Sequence, residues 1–558
     1  MIKMKTIRKT ISLLLCAAIV FVSSGCGSGT KDYTYDEAAT ELEAFNKKIT
    51  VNEVNKVLDI YDTPSASASL ADISTFPINL TGSGQINLEV AAATEMSSTA
   101  PDDWMIEVAK KFNSGGFTVD GKSVSVSIRS MASGEVITYM TEGDYKPDVY
   151  APSSNAWGEM LSAKGVGVVK LADRIAGNTA GVLMEKKTYD EFIGKYGEVT
   201  LSNVLEASIA GDLTFSYTNP YTSSTGLNIL TAMLYSFDNK DPLSDAAQQK
   251  LLDYQKLSPP VAYTTAVLRD QATKGIIKAM VMEEQAYKNS PELKNYVYTP
   301  AGIRHDHPVY TFDYVSKDKQ EAAKLFTEYC QNSESQALAT KKGFNLHDDY
   351  VGQDNGMSGS EYLAAQKIWK KNKSGGNPII AIFVADVSGS MSGAPINSLK
   401  ESLLSTSSYI SSDNYVGLIS YSHSVYLNLP IAAFDAEQRA YFSGAVKSLD
   451  VGGDTATYDA VLVGLKMLVE KKKEIPNARL MMFVLSDGEQ NQGYSLDRIT
   501  PIVDGLDVPI YSIGYNLSDG SKATDQLKQL SGINEASLIN ATTDDLINHM
   551  RNLFNVQL

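Results

Sequence analysis

Cysteine and histidine are scarce in this chain, and their scarcity limits the chemistry that it can support. Only three of the 558 residues are cysteine and five are histidine. Cys16 lies in an N-terminal apolar segment and Cys26 follows it, which leaves Cys330 in the body of the chain. No intramolecular disulfide is therefore expected. The chain has neither a G-x-S-x-G elbow nor an H-E-x-x-H helix, so we expect a protein without catalytic activity.

An excess of positive charge is also absent. The formal net charge is −16 at pH 7, and no stripe of Lys and Arg is visible, so nucleic acid binding is not expected. The segment Gly116–Ser123, GFTVDGKS, matches the P-loop pattern of nucleotide-binding proteins. It follows a helical pattern and leads into a strand, with Asp120 and Gly121 as a turn signal. We predict a hairpin here and no phosphate site.

The N-terminus lacks an apolar run long enough to cross a bilayer. The twelve residues Ile11–Val22 are too few. Basic residues precede them and Ser23, Ser24 and Gly25 follow, which predicts an export signal over residues 1–25. With Cys26 next, the stretch resembles a bacterial lipobox, although Ser23 stands where Leu or Val is usual. The resemblance implies lipidation of Cys26 and anchoring on the outer face of the bacterial cell membrane; ordinary secretory cleavage is the alternative.

The chain from residue 85 to 345 alternates short apolar strands with helical stretches. Such alternation predicts β-α-β units and a mainly parallel sheet. The order of elements, with NPYTSSTG and the later AMVMEEQAY, resembles the bacterial extracellular solute-binding proteins of the two-lobed, type 2 periplasmic kind. That resemblance implies a ligand cleft between two α/β lobes, lined by loops at strand ends. The matching positions are Ser97, Ser98, Thr99, Ser130, Ser133, Ser153, Ser154, Asn219, Ser223, Ser224 and Thr225.

The chemistry of these positions favours a small polar or anionic solute. Hydroxyls and free backbone N–H groups at a helix N-terminus suit such ligands. The alternative is that the serines and threonines only cap helices. His305 and His307, in GIRHDHP, have no further metal ligands beside them in the sequence, and we predict a solvated crossover loop between the lobes.

The part of the chain after residue 376 repeats the alternation with stronger strands. IIAIFVAD, YVGLISYS, RLMMFVLSD and PIYSIGY are separated by helical stretches, which predicts a doubly wound, mainly parallel, Rossmann-like sheet. Asp386, Ser388 and Ser390 form Asp-x-Ser-x-Ser at the end of the first strand. Thr455 lies in GGDTAT, and Asp487 ends a later strand in VLSDG. Ligands of such sheets collect at the carboxyl ends of the strands.

These three motifs resemble the metal-ion-dependent adhesion site (MIDAS) of von Willebrand factor A (VWA) domains. The resemblance implies hydroxyl ligands from Ser388, Ser390 and Thr455, with Asp386 and Asp487 acting directly or through water. Hard oxygen ligands with few charges suit Mg²⁺ or Mn²⁺. The family uses the remaining coordination position for an acidic side chain of a protein partner. The alternative is that the serines only turn the chain and cap the next helix.

Together these patterns predict five segments. They are a lipoprotein signal peptide (1–25), a tether (26–84), a two-lobed module (85–345), a linker (346–376) and a VWA domain (377–558). We expect a surface-anchored, non-catalytic binding protein whose VWA domain captures a protein partner through the metal. The alternative is a solute receptor of an ABC-type transporter with an accessory VWA domain.

Overall fold

The computed structural model covers most of the chain. It describes residues 33–56, 73–541 and 550, except at positions 77, 99, 144, 258, 260, 263–264, 274–276, 353–355, 408–409, 411, 516, 519, 535 and 537. The predicted signal peptide, Cys26 and Thr99 lie outside the described residues. No helix within the described ranges is both long and apolar enough to cross a bilayer.

Two elements precede the two-lobed module: α1 (Tyr35–Asn46) and β1 (Val51–Glu53). The strands of the module are β2 (Ile78–Leu80), β3 (Ile86–Ala92), β4 (Thr118–Val119), β5 (Lys122–Ser130), β6 (Val149–Ala151), β7 (Val168–Ala172), β8 (Thr179–Glu185), β9 (Tyr217–Thr218), β10 (Val261–Ala262), β11 (Ala279–Glu283), β12 (Tyr296–Arg304) and β13 (Val309–Phe312). Its helices are α2 (Thr94–Ser97), α3 (Trp104–Ser114), α4 (Ser133–Glu142), α5 (Asn155–Ala163), α6 (Lys186–Tyr196), α7 (Leu201–Ile209), α8 (Ser224–Phe237), α9 (Asp245–Gln255), α10 (Thr265–Thr273), α11 (Glu284–Lys288), α12 (Lys317–Cys330), α13 (Ser333–Lys341) and α14 (Gly359–Asn372).

The first lobe is built on a sheet in the order β2-β5-β3-β6-β13-β7. Strand β3 pairs in parallel with β5 on one side and β6 on the other. The strand order therefore reverses at β3, and a crevice forms at its carboxyl end. Strands β4 and β5 form the predicted antiparallel hairpin, with positive φ at Asp120 and Gly121. The P-loop pattern is thus a turn.

The second lobe contains the antiparallel sheet β11-β8-β12 and the parallel pair β9 and β10. The chain enters this lobe before β8 and returns after β12. The two crossovers bond to each other, because His305 N–H donates to Asn178 O (3.0 Å) and Ile175 N–H donates to His307 O (3.1 Å). The prediction of a solvated crossover is wrong, since both histidine side chains are fully buried. His305 contacts Glu283 and His307 contacts Glu95, so each ring has a carboxylate partner inside the protein.

Residues 359–372 of the predicted linker form a helix of the module. In α14, the Trp369 indole donates to Tyr217 OH (2.8 Å) and the Gln366 amide donates to Pro220 O (2.8 Å), both in the second lobe. At the other end of α14, Gly359 packs against the backbone of Glu159 in the first lobe. The linker prediction is therefore corrected: α14 spans both lobes, because its apolar face needs a buried partner that the sequence alone did not identify.

The C-terminal domain contains β14 (Ile379–Asp386), α15 (Ala394–Thr406), β15 (Tyr415–Tyr421), β16 (Val425–Ala433), α16 (Ala436–Lys447), α17 (Thr457–Glu474), β17 (Arg479–Ser486), α18 (Leu496–Leu506), β18 (Ile510–Tyr515), α19 (Lys522–Gly532) and β19 (Leu538–Ala541). Its sheet has the order β1-β16-β15-β14-β17-β18-β19. All pairings are parallel except that of β15 with β16. The predicted fold class, a two-lobed α/β module followed by a mainly parallel α/β domain, is confirmed.

The described part of the predicted tether belongs to this C-terminal domain. Ala38 and Leu42 on α1 are buried against α17 and α18, and Asn46 donates to Leu462 O (3.0 Å). Strand β1 pairs with β16 at the edge of the sheet. The tether prediction is wrong for residues 34–54. Ala38 and Leu42 lie four residues apart on one face of α1, and that face is buried against α17 and α18, more than 400 positions away in the sequence. The two-lobed module is inserted between β1 and β14.

Candidate functional sites

The carboxyl end of β14 places Asp386 inside the C-terminal domain. All eight residues of this strand are buried, and Asp386 is fully buried with them. Its Oδ1 accepts the N–H of Ser388 (2.8 Å), and its Oδ2 accepts the hydroxyls of Ser486 (2.5 Å) and Tyr421 (3.3 Å). A buried carboxylate needs such donors. They hold Asp386 in one orientation at the strand end.

The other predicted metal ligands lie in loops that are tied to this strand end. The hydroxyls of Ser388 and Ser390 are 3.1 Å apart, and Ser390 Oγ donates to Asp487 Oδ1 (2.8 Å) at the end of β17. The loop of Thr455 is joined to them through the backbone, because Gly389 N–H donates to Gly453 O (3.0 Å). Three loops that are far apart in sequence therefore meet at one edge of the sheet.

Thr455 is held by a residue that the sequence did not single out. Asn491 Oδ1 accepts the Thr455 N–H (2.9 Å), and the Asn491 N–H donates to Thr455 O (3.1 Å). The turn before it requires glycine, since Gly453 has φ of 86° and a Cβ there would lie 2.5 Å from His423 Nδ1. The position of Thr455 thus depends on the loop after Asp487.

A cavity of about 320 Å³ lies between the two lobes of the module. It is lined by Thr94, Glu95, Ser98, Asp102, Ala132, Ser133, Ser153, Thr222, Ser223, Ser224, Thr225, Thr265, Arg269, Glu283, Gln285 and Ala286. Six of the predicted cleft residues are among them: Ser98, Ser133, Ser153, Ser223, Ser224 and Thr225. The lobes touch each other beside the cavity, because Trp157 Nε1 donates to Ser224 Oγ (2.7 Å) and Gly134 N–H donates to Thr222 O (3.2 Å).

Four predicted cleft residues do not line the cavity, and that part of the prediction is corrected. Ser97 Oγ bonds within the first lobe, to Ala92 O (3.0 Å) and to Ser130 Oγ (3.0 Å). Ser154 accepts the N–H of Ala156 as a helix cap. Asn219 is fully buried, and its Oδ1 accepts the Tyr221 N–H (3.0 Å). The sequence pattern does not distinguish a hydroxyl that faces the cleft from one that caps a helix or joins two strands.

Comparison with known families identifies both parts of the chain. A family model described as bacterial extracellular solute-binding protein matches residues 89–345. A family model described as von Willebrand factor type A domain matches residues 382–554. The chain joins an extracellular solute-binding domain to a VWA domain. The match of residues 89–345 to an extracellular solute-binding family indicates an exported protein.

Individual relatives match only parts of the chain. Inter-alpha-trypsin inhibitor heavy chain H1 of Sus scrofa is 26% identical over 170 residues, 28% of this chain and 18% of the relative. The chain thus matches less than a fifth of the curated relatives' length. Among solved structures, a periplasmic thiamin binding protein is 15% identical, with 53% of this chain and 99% of that chain covered and a TM-score of 0.38. The vWF domain of the type V pili tip protein Mfa5 from Porphyromonas gingivalis is 15% identical, with 32% and 94% covered and a TM-score of 0.27.

The two carboxylates of the VWA domain both have raised pKa values. Burial raises the pKa of Asp386, and the charge of Asp487 raises it further, against hydrogen bonds from Ser388 and Ser486. Burial also raises the pKa of Asp487. In the described residues, no three His, Cys, Asp or Glu side chains come together as metal ligands. A cation here would therefore depend on hydroxyl oxygens as well as on the two carboxylates, a donor set that fits Mg²⁺ or Mn²⁺.

Sequence reasoning missed Ser486 and Tyr421 as supports of Asp386. In the parallel register of β14 and β17, Ala385 is paired with Leu485, so Asp386 and Ser486 are next to each other. Aligning the two buried strands at their polar ends would have suggested Ser486. Nothing in the sequence indicates the contact of Tyr421.

The charged residues of the cleft were also missed. Burial would raise the pKa of Glu95, but the hydrogen bond and charge of His307 outweigh it and hold that pKa below its usual value. The pKa of His307 is raised, since Glu95 outweighs the effect of burial. Burial raises the pKa of Asp102, whose Oδ1 accepts the Gln285 amide (2.7 Å). The solute-binding cleft therefore holds an ion pair and further carboxylates, where the sequence had suggested hydroxyls alone.

Proposed function

We propose that this chain is an exported, non-catalytic binding protein whose VWA domain binds Mg²⁺ or Mn²⁺ and captures a protein partner. The observation that supports the proposal most is the linked set Asp386, Ser388, Ser390 and Asp487, with the Thr455 loop bonded to it through Gly389. When bound, the cation supplies a Lewis-acidic position that accepts a carboxylate oxygen. With only two carboxylates in the set, an acidic side chain of the partner completes the charge.

The residues of the chain have separate tasks in this proposal. Ser388, Ser390 and Thr455 offer neutral oxygens, and Asp386 and Asp487 offer charge. Hydrogen bonds to Asp386 and to the backbone of Thr455 orient these groups before any ligand arrives. Such preorganisation lowers the entropic cost of binding. The chain itself needs no acid, base or nucleophile for this function.

Metal binding is tested by isothermal titration calorimetry of the full chain with Mg²⁺ and Mn²⁺. We expect binding by the wild type, no detectable heat with Asp386→Ala, and unchanged binding with Asp525→Ala, which removes an exposed carboxylate on α19. Equal binding by the Asp386→Ala and Asp525→Ala variants would contradict the proposal.

Partner capture is tested separately with an extract of surface proteins. The wild type and the Asp525→Ala variant are expected to retain the partner in Mg²⁺ and release it in EDTA, whereas the Asp386→Ala variant retains nothing specific in either buffer. Capture that survives both EDTA and the Asp386→Ala change would contradict a metal-completed contact.

Anchoring is part of the same proposal. Cys26 follows the apolar N-terminal segment, and lipidation there would place the chain on the outer face of the membrane. Mass spectrometry of the mature N-terminus tests it. A diacylglyceryl-modified cysteine at the first position is expected, and an unmodified start at another residue would refute it.

A second candidate function is that of a solute receptor for an ABC-type transporter. The cavity of about 320 Å³, bordered by direct contacts between the lobes, favours it. In that case a small solute raises the unfolding temperature of the module, and the Asp386→Ala change leaves the shift intact. Loss of the shift in that variant would argue against a separate receptor function.

A further inference from the structure

We propose that the cavity between the lobes binds an aliphatic solute carrying a primary ammonium group, and not an anion, which was one of the two ligand types, polar or anionic, that the sequence favoured. The inference rests on the proposed receptor function and specifies its ligand class. The described residues of the lining include three carboxylates, Glu95, Asp102 and Glu283, against one guanidinium, Arg269. Glu95 is paired with His307, so the excess of negative charge over Arg269 comes from Asp102 and Glu283. A cavity with that balance attracts a cation and repels an oxyanion.

At three helix N-termini of the cleft, one N–H group is already bonded within the chain. At the start of α4, Gly134 N–H donates to Thr222 O across the lobes (3.2 Å). At the start of α8, Gly226 N–H donates to Ser223 Oγ (3.3 Å), and at α5 Ala156 N–H donates to Ser154 Oγ (3.3 Å). These are the groups on which an anion site at a helix N-terminus depends. At each of these three helix starts, one of the N–H groups that suggested an anion is therefore bonded within the protein.

Two of the three carboxylates have an oxygen to which no described residue donates a hydrogen bond. Glu283 Oε1 accepts Thr225 Oγ1 (3.1 Å) and contacts His305 Nδ1 (2.7 Å). Asp102 Oδ1 accepts the Gln285 amide. Among the described residues, no hydrogen bond reaches Glu283 Oε2 or Asp102 Oδ2. Carboxylate oxygens are acceptors, so the ligand must bring donors.

Gln285 provides a second, independent indication. Its side chain is fully buried and lines the cavity, yet Oε1 has no hydrogen-bond partner among the described residues. Because its Nε2 donates to a carboxylate oxygen of Asp102, the amide orientation is determined and Oε1 is left as an acceptor. Buried polar atoms are nearly always paired in native proteins. Oε1 is closed to a water-sized probe, so a ligand N–H supplies the missing donor when the Gln285 side chain turns toward the cavity.

The cavity also limits the size and type of the ammonium group. A volume of about 320 Å³ corresponds to about ten water molecules at ~30 Å³ each, which suits a small organic solute. Within the described residues, no cluster of three His, Cys, Asp or Glu side chains suited to a bare metal ion is found. The described residues that line the cavity include no aromatic side chain, whereas quaternary ammonium ligands are usually held by aromatic rings. A primary amine with N–H donors fits best.

The experiment measures the binding of four probes to the full chain by calorimetry and by thermal unfolding followed through tryptophan fluorescence. The probes are putrescine and L-lysine as primary amines, sulfate as an oxyanion and choline as a quaternary ammonium. We expect at least one of the amines to bind and to raise the unfolding temperature, with no response to sulfate or choline. Since a hydrogen bond to a charged group is strong, Asp102→Asn and Glu283→Gln are each expected to weaken amine binding roughly tenfold to hundredfold.

Glu206→Gln is the matched control. It neutralises an exposed carboxylate on α7, in the same lobe as Glu283, and the variant is expected to bind the amines like the wild type. Asp102→Asn is the safer variant, because Asp102 is more exposed than Glu283. Binding of sulfate in preference to the amines would overturn the ligand class and leave the receptor function standing. Amine binding that is unaffected by both carboxylate changes would also overturn it. If none of the probes binds, the ligand class proposed here is overturned, while the receptor function is tested by the thermal shift with other solutes.

Discussion

Replacing Leu42 by alanine tests whether the segment before the solute-binding domain folds as part of the VWA domain. Leu42 is 1% exposed and packs with Ala38 against α17 and α18. Truncating a buried leucine costs about 2–5 kcal/mol of unfolding free energy. In a domain of 150–250 residues, 1 kcal/mol lowers the unfolding temperature by about 2–4 °C. We therefore expect the VWA unfolding transition to fall by about 4–20 °C.

The two domains can be followed separately in this assay. All three tryptophans lie in the solute-binding domain or on α14, namely Trp104, Trp157 and Trp369. Tryptophan fluorescence therefore reports the solute-binding domain, while differential scanning calorimetry records both domains. In Leu42→Ala the calorimetric transition of the VWA domain is expected to move and the fluorescence transition to stay in place.

Thr40→Ala is the control, because Thr40 is exposed on the same helix. We expect it to change the VWA transition by no more than about 2 °C, the effect of a surface substitution within 0.5 kcal/mol. The reasoning is refuted if Leu42→Ala unfolds like Thr40→Ala, since that is the behaviour of a tether with no packing partner.

Three further predictions concern the solute-binding domain. Because Glu95 raises the pKa of His307, the pair's contribution to stability is complete below pH 6.5 and is lost as the pH rises through the raised pKa. The unfolding temperature followed by fluorescence is therefore expected to fall over that pH range in the wild type and not in His307→Gln. Parallel curves for the two proteins would contradict the prediction. Trp369→Phe leaves the buried Tyr217 hydroxyl without its indole donor. It is expected to lower the free energy of unfolding, measured in urea, by about 1–3 kcal/mol. A decrease below about 0.5 kcal/mol would mean that α14 does not hold the lobes. Burial raises the pKa of the Cys330 thiol, so a thiol reagent is expected to label Cys330 only after denaturation, and fast labelling of the native protein would disprove its burial.

The five predicted metal ligands illustrate what sequence reasoning can reach. Asp386 and Asp487 each follow a continuous apolar run, and such runs form strands buried on both faces of a parallel sheet. Parallel strands bring their carboxyl ends to one edge, so the meeting of these loops followed from the pattern. The supports of the site did not follow, because Ser486, Tyr421 and Asn491 act through contacts that depend on register and on loop path.

The cleft shows the opposite balance. The sequence indicated which loops surround it, and six hydroxyl residues line the cavity as expected. It did not indicate that Glu95, Asp102 and Glu283 would face the same space, because Glu95 and Asp102 come from the first lobe and Glu283 from the second. The charge of a cavity between two lobes is a sum over residues that are distant in sequence, and only their assembly gives its sign.

The sequence by itself determined the α/β class, the two domains and the loops that carry their candidate sites, because strand and helix periodicity and strand-end motifs are local properties. Only the tertiary structure decided that α1 and β1 complete the VWA domain, that α14 spans both lobes and that carboxylates from both lobes line the cleft. Each of these features depends on which residues an apolar face or a carboxylate contacts in the folded protein. Those contacts join residues that are hundreds of positions apart, so no local sequence pattern indicates them.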